Sequence, residues 1–173
     1  MNTGKRIALI AIYVALLIGG QLVLSGIAGV EIISALLVVF CFRFGVKIGV
    51  VTATVFSLLR CFLFGFFPSV IILYLVYFNL LAIIIGVIGK AFSRRLSWLS
   101  FVVILLVTAV LTACFTLLDD IISPIYYGFT KEATKAYFIA SLPIMAVQVP
   151  ISALTVGLLI FPLDKCFKIA KIV

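Results

Sequence analysis

From Ile7 to Phe42 the chain runs for 36 residues with one formal charge, Glu31. As a single α-helix this run would be about 54 Å long at 1.5 Å per residue. A membrane span needs about 20 mostly apolar residues to cross a hydrocarbon core of roughly 30 Å. The run therefore reads as two spans joined by a tight turn. Gly19, Gly20, Gln21, Ser25, Gly26 and Gly29 mark the turn region. Four more apolar segments follow, Val46–Phe64, Ser69–Gly89, Trp98–Leu118 and Tyr137–Phe161. Composition agrees: 66% of residues are hydrophobic and 10% charged, where a soluble domain is nearer half and a quarter. A soluble enzyme and a nucleic-acid-binding domain are excluded. The fold expected is all-α: a polytopic membrane protein with six transmembrane helices, forming one domain over residues 1–173. The first segment reads as a retained span, because no small-residue cleavage site followed by a polar region appears.

The charges set an expected orientation. Cytoplasmic loops carry excess Lys and Arg. Lys5, Arg6, Arg43, Lys47, Lys90, Arg94, Arg95, Lys165, Lys168 and Lys171 fall at every second span boundary. Glu31, Asp119, Asp120 and Glu132 fall at the others, with Lys131 and Lys135 in one long outer loop. Both termini are then cytoplasmic.

Little in the chain carries catalytic chemistry. It has no histidine, which removes His-based catalysis and most zinc sites. Gly86-Val87-Ile88-Gly89-Lys90-Ala91 has a Gly-Lys pair without the phosphate-loop spacing, so no ATP hydrolysis is expected. Cys41, Cys61, Cys114 and Cys166 form no CxxC and read as buried, reduced thiols. Asp119 and Asp120 are neighbours on a helix and point about 100° apart, a poor arrangement for sharing a proton or a metal. We read the chain as a non-enzyme with no cofactor and no metal.

Charged groups at membrane depth usually face a cavity or a partner. Arg60 lies near the outer end of the third span. It either snorkels to the headgroups, pairs with Glu31 or Asp119, or lines an outward cavity. Tyr74 and Tyr77 fall in the outer half of the fourth span and Asn79 near its middle, Asp119 and Asp120 end the fifth, Tyr126 and Tyr127 lie beyond it, and Gln148 falls near the middle of the sixth between Pro143 and Pro150. The inner halves hold almost nothing polar beyond Ser and Thr. This asymmetry predicts an outward-facing binding pocket, although each tyrosine alone would also fit an interfacial aromatic belt. Ala8, Ala11 and Ala15, continued by Gly19, make a flat face on the first span. Such a face either packs inside the bundle or receives a helix of another membrane protein.

Two stretches carry a family resemblance. Ala11-Ile12-Tyr13-Val14-Ala15 matches an AxxxA motif, and Phe44-Gly45-Val46-Lys47-Ile48-Gly49, Leu58-Leu59-Arg60 and Gly65-Phe66-Phe67-Pro68 follow. With the size and span count, these residues make the chain resemble the substrate-binding S component of an energy-coupling factor (ECF) vitamin transporter. The resemblance implies capture of a vitamin or related micronutrient at the extracellular face of a bacterial plasma membrane. It also implies toppling on docking to a transmembrane T component and two cytoplasmic ATPases. Ala8, Ala11 and Ala15 would form the docking face. Arg60, Tyr74, Tyr77, Asn79, Asp119, Asp120, Tyr127 and Gln148 would line the pocket, with cobalamin or a related corrinoid the first ligand considered. Riboflavin, folate, pantothenate and queuosine precursors come behind it. The alternative is a structural membrane protein resembling the rod-shape factor MreD. A small channel or secondary transporter would want polar residues through both halves of the bundle.

Overall fold

The computed structural model describes residues 2–24 and 32–169. Over them the chain forms six helices: α1 (Thr3–Leu24), α2 (Ile32–Phe44), α3 (Val46–Phe64), α4 (Pro68–Ala91), α5 (Trp98–Tyr127) and α6 (Lys131–Ile169). Among the described residues there is no strand. Five of the six, all but α2, are long and apolar enough to cross a membrane. Over the described residues the fold is all-α, with the long apolar helices of a membrane protein.

Local chemistry sets the breaks. Gly45 alone joins α2 to α3, at φ 81°, a conformation that Gly adopts without a Cβ penalty. Pro68 opens α4 within its first turn, where its missing N–H costs nothing. Ser97 caps α5: its side chain accepts from the Ser100 N–H, and the Ser100 hydroxyl accepts from the Ser97 N–H. Gly128 ends α5 in the left-handed region, φ 64°.

α2 is the central element. It packs against α1, α3, α4 and α6, and every residue from Ser34 to Phe44 is buried. At 13 residues it is about 20 Å long, short of the roughly 30 Å that a span must cover. The full second span expected from the sequence is thus a shorter, enclosed helix over its described part. Gly19, Gly20 and Gln21, expected in a turn, lie inside α1. Ser25, Gly26, Gly29, Glu31 and Lys171 lie outside the described residues.

The long loop expected between the last two spans is instead helix, with only residues 128–130 between α5 and α6. Asp119 and Asp120 lie within α5, where nearby hydroxyls bond both oxygens of Asp119 and one of Asp120. α6 continues through Pro143, Pro150 and Pro162 for 39 residues, about 58 Å, longer than the roughly 30 Å of a bilayer core. The cysteines are all free; Cys41 and Cys61 are buried, Cys114 is half-buried and Cys166 is exposed. Cys166 departs from the expected burial because it follows the apolar part of α6.

Candidate functional site

α5 carries a polar stripe at four-residue intervals. Thr108, Thr112, Thr116 and Asp120 are all buried, and residues four apart share a helix face. α5 packs on α6, whose polar side chains meet this stripe in antiparallel order. Thr112 Oγ1 donates to Ser152 Oγ at 2.9 Å. Thr116 Oγ1 makes a longer contact with Gln148 Oε1 at 3.5 Å. Ser141 Oγ donates to Asp120 Oδ2 at 2.6 Å. Beside the stripe, Asp119 accepts from Ser123 Oγ at 2.7 Å and Tyr137 Oη at 2.8 Å. In an apolar surrounding such hydroxyl pairs hold two helices in register.

The end of this ladder differs electrostatically from the rest of the molecule. Among the described residues neither Asp119 nor Asp120 forms an ion pair. Asp120 is 5% exposed, and its Oδ1 has no hydrogen-bond partner among the described residues. It borders a cleft of about 450 Å³, walled by Ile121, Pro124, Ile125, Phe129 and Thr134 with Gly128 at its rim. Phe129 stands 5.8 Å from the Tyr137 ring and 6.2 Å from the Tyr127 ring. Among the described residues no three His, Cys, Asp or Glu side chains group to hold a metal ion.

The other expected pocket residues divide into separate groups. The Arg60 guanidinium lies 3.9 Å from the Tyr74 ring centroid and 5.2 Å from that of Phe64, a cation–π arrangement. Its Nε is buried without a hydrogen-bond partner among the described residues. Arg60 therefore pairs with aromatic faces, while Asp119 is taken by Ser123 and Tyr137. Tyr74 and Tyr77 both pack on Phe78 and Phe115, with centroid distances from 4.7 to 5.9 Å. Asn79 accepts from Thr54 Oγ1 at 3.0 Å, between α3 and α4, and its amide donates to Leu75 O. Tyr127 accepts from Ser69 Oγ at 3.2 Å, tying the start of α4 to the end of α5. The structure brings together Asp119, Asp120 and Gln148 on the α5–α6 seam and pairs Arg60 with Tyr74.

On α1 the alanine face points outward. Ala8, Ala11 and Ala15 are exposed, while Leu9, Tyr13, Val14 and Leu17 on the opposite face are buried. Tyr13 anchors that inner face through a 2.7 Å hydrogen bond to Leu36 O and a stacked contact with Phe40. Beside the alanines an apolar groove of about 520 Å³ runs between α1 and α3, lined in part by Ala11, Ala15, Gly19, Val55 and Leu59.

The sequence reading missed the threonine stripe and the Ser141 and Ser152 partners. The four-residue spacing of Thr108, Thr112, Thr116 and Asp120 was the available signal. No protein-family model, curated protein or solved structure matches this chain.

Proposed function

We propose that this chain is a substrate-binding subunit of an ECF-type importer. In this reading it crosses a bacterial plasma membrane six times, counting the segment that holds α2, with both termini cytoplasmic. It captures a small micronutrient at the end that carries Asp119 and Asp120, and it hands the ligand on by docking to a T component driven by two ATPases. The observation that carries the reading is the outward alanine face of α1. A flat face of Ala8, Ala11 and Ala15 turned away from its own bundle gives another membrane helix a close approach. The cleft beside Asp120 adds room for a ligand at the other functional surface, within the usual range of a small-molecule site.

Purification in mild detergent tests the reading directly. A binding subunit carries a small molecule through purification, detectable by mass spectrometry, and co-purifies with a T component and ATPases expressed alongside it. Failure of both removes the importer reading. Orientation is tested by cysteine accessibility: a cysteine at exposed Thr130 labels from outside intact cells, and one at exposed Ser93 does not. Ser69 is unsuited to this test because it is buried against Tyr127.

The packing of Tyr74 and Tyr77 into a ring cluster favours a second reading, a structural membrane protein of the MreD kind. That protein would co-purify with other membrane proteins and carry no small molecule.

A further inference from the structure

The chain has thirteen basic residues and five acidic ones, so an acid that needs a cation has many to choose from. Asp164 takes two, Arg43 and Lys168. Asp119 and Asp120 take none among the described residues. Adjacent carboxylates repel one another, and a buried charge is costly unless it is paired. Asp119 has both oxygens engaged, by Ser123 and Tyr137. Asp120 has one engaged, by Ser141, while Oδ1 is left over. That leftover acceptor belongs to a side chain that is 5% exposed and lines the cleft.

We propose that this cleft binds an organic cation, an ammonium group carried on an apolar body. The inference rests on the reading of this end as the ligand-binding end, and it names the chemistry of the ligand. An ammonium supplies both things Asp120 lacks, a positive charge and an N–H donor. The walls select the rest of the molecule. Ile121, Pro124, Ile125 and Phe129 offer apolar contact, and the face of Phe129 adds attraction for a cation. A bare divalent ion does not fit as well, because Ca²⁺ and Mg²⁺ require six or more oxygens, and the cleft offers the Asp120 carboxylate and the Thr134 hydroxyl. The hydroxyl bonds already made to Asp119 and Asp120 hold the carboxylates in place before the ligand arrives, which lowers the ordering cost of binding.

The test uses the full chain in lipid nanodiscs and three probes of similar shape: 2-phenylethylammonium, neutral 3-phenylpropan-1-ol and anionic 3-phenylpropionate. Ligand-observed NMR reads their affinities. The ammonium is expected to bind about tenfold or more tightly than either other probe, the range for one charged hydrogen bond. Asp120→Asn should remove that advantage. Ile125→Trp, made at a wall position that is 76% exposed and so compatible with folding, should block the cleft and remove binding without touching a carboxylate. Equal affinity for the three probes, no ammonium binding, an ammonium advantage kept in Asp120→Asn, or ammonium binding kept in Ile125→Trp would overturn the proposal. Binding of the alcohol or the carboxylate as tight as or tighter than that of the ammonium, lost in Ile125→Trp but kept in Asp120→Asn, would sink the cationic class and leave this end standing as a ligand site. If no probe binds, the cation inference falls, and the importer reading is decided separately by the co-purification experiment.

Discussion

Arg43 and Asp164, 121 residues apart in sequence, form a buried ion pair where the ends of α2 and α6 meet. Arg43 Nη1 also donates to Arg94 O at 3.2 Å, and Lys168 Nζ reaches the second Asp164 oxygen at 2.9 Å. The pair thus ties α2 and α6 to the α4–α5 turn, where Ser93 and Arg94 sit at φ 51° and 56°. Two successive non-glycine residues in that region cost about 1–2 kcal/mol each, and the Arg43 bond to Arg94 O helps hold them. Removing one member of a buried pair strands the other charge and costs about 3–5 kcal/mol, whereas an apolar replacement of both is often neutral. Arg43→Met leaves Asp164 with Lys168 alone and should lower unfolding stability in detergent by at most about that amount. The double change Arg43→Met with Asp164→Leu should recover most of it. A double variant no more stable than the single would show that the pair is needed for more than charge balance.

Gly86 and Gly89 let α4 press against the α2–α3 turn. A Cβ on Gly89 would stand 2.3 Å from Phe42 O, and one on Gly86 2.6 Å from the Val46 backbone nitrogen. These obstacles are backbone atoms and cannot swing away. Gly89→Ala and Gly86→Ala should each overpack the interface and cost about 1–3 kcal/mol or more, measured as a drop in thermal stability. Gly19→Ala, with nothing within 4 Å of the added carbon, serves as the control and should not destabilise.

Much of this was legible in the sequence because lipid leaves few alternatives. Backbone groups in a bilayer must bond within a helix or a closed barrel, so long apolar runs such as Ser69–Gly89 and Trp98–Leu118 foretold α4 and the apolar body of α5. The helix ends were harder to read. Asp119 and Asp120 resemble a loop by composition but lie in the helix, where Ser123 on α5 and Tyr137 and Ser141 on α6 bond to them; the α6 partners are set by tertiary packing. Arg43 reads as a loop charge on the basic side, and nothing in the sequence singles out Asp164. A pairing across 121 residues leaves no local pattern. The site was less legible than the fold: hydropathy placed Arg60, Tyr74 and Asn79 near one depth but could not say which helix faces they occupy or what already fills the space between them.

Arg60 lies over Tyr74 at 3.9 Å, and that contact can be separated from ligand binding. A cation–π pair contributes about 0.5–2 kcal/mol. Arg60→Leu and Tyr74→Leu should each destabilise the isolated protein, and a double-mutant cycle should show coupling of that order. Arg60→Lys should keep only part, since an ammonium lacks the planar guanidinium face. Unchanged stability combined with a loss of about 1.5–3 kcal/mol in ligand affinity would instead assign the guanidinium to an anionic group.

The α5–α6 seam makes a quieter prediction. Thr112 and Ser152 are both fully buried and bonded to each other at 2.9 Å. Interhelical bonds of this kind in membranes average about 0.6 kcal/mol and reach about 1.7. A cycle of Thr112→Val and Ser152→Ala should return a coupling in that range. A value near zero would leave the helices registered by apolar packing alone.

The alanine face of α1 gives the sharpest separation of alternatives. Ala11 and Ala15 are exposed while Tyr13 and Leu17 between and beyond them are buried, so a large residue at 11 or 15 meets no core. Ala11→Trp and Ala15→Trp should therefore leave thermal stability nearly unchanged. Binding at the cleft beside Asp120 should also persist, because that cleft is built from α5, α6 and their turn, and α1 makes its main contacts with α2 and α3. An indole at either position would stand in the groove beside Val55 and Leu59 and hold a second helix away from the flat surface. If this face docks a T component, both variants lose co-purification and uptake while keeping ligand binding. If it faces only lipid, stability, binding and uptake all persist, and the alanines drop out of the mechanism. A loss of stability in either variant would contradict the outward placement of the face. Uptake, pull-down and thermal unfolding on the same two proteins distinguish the three results.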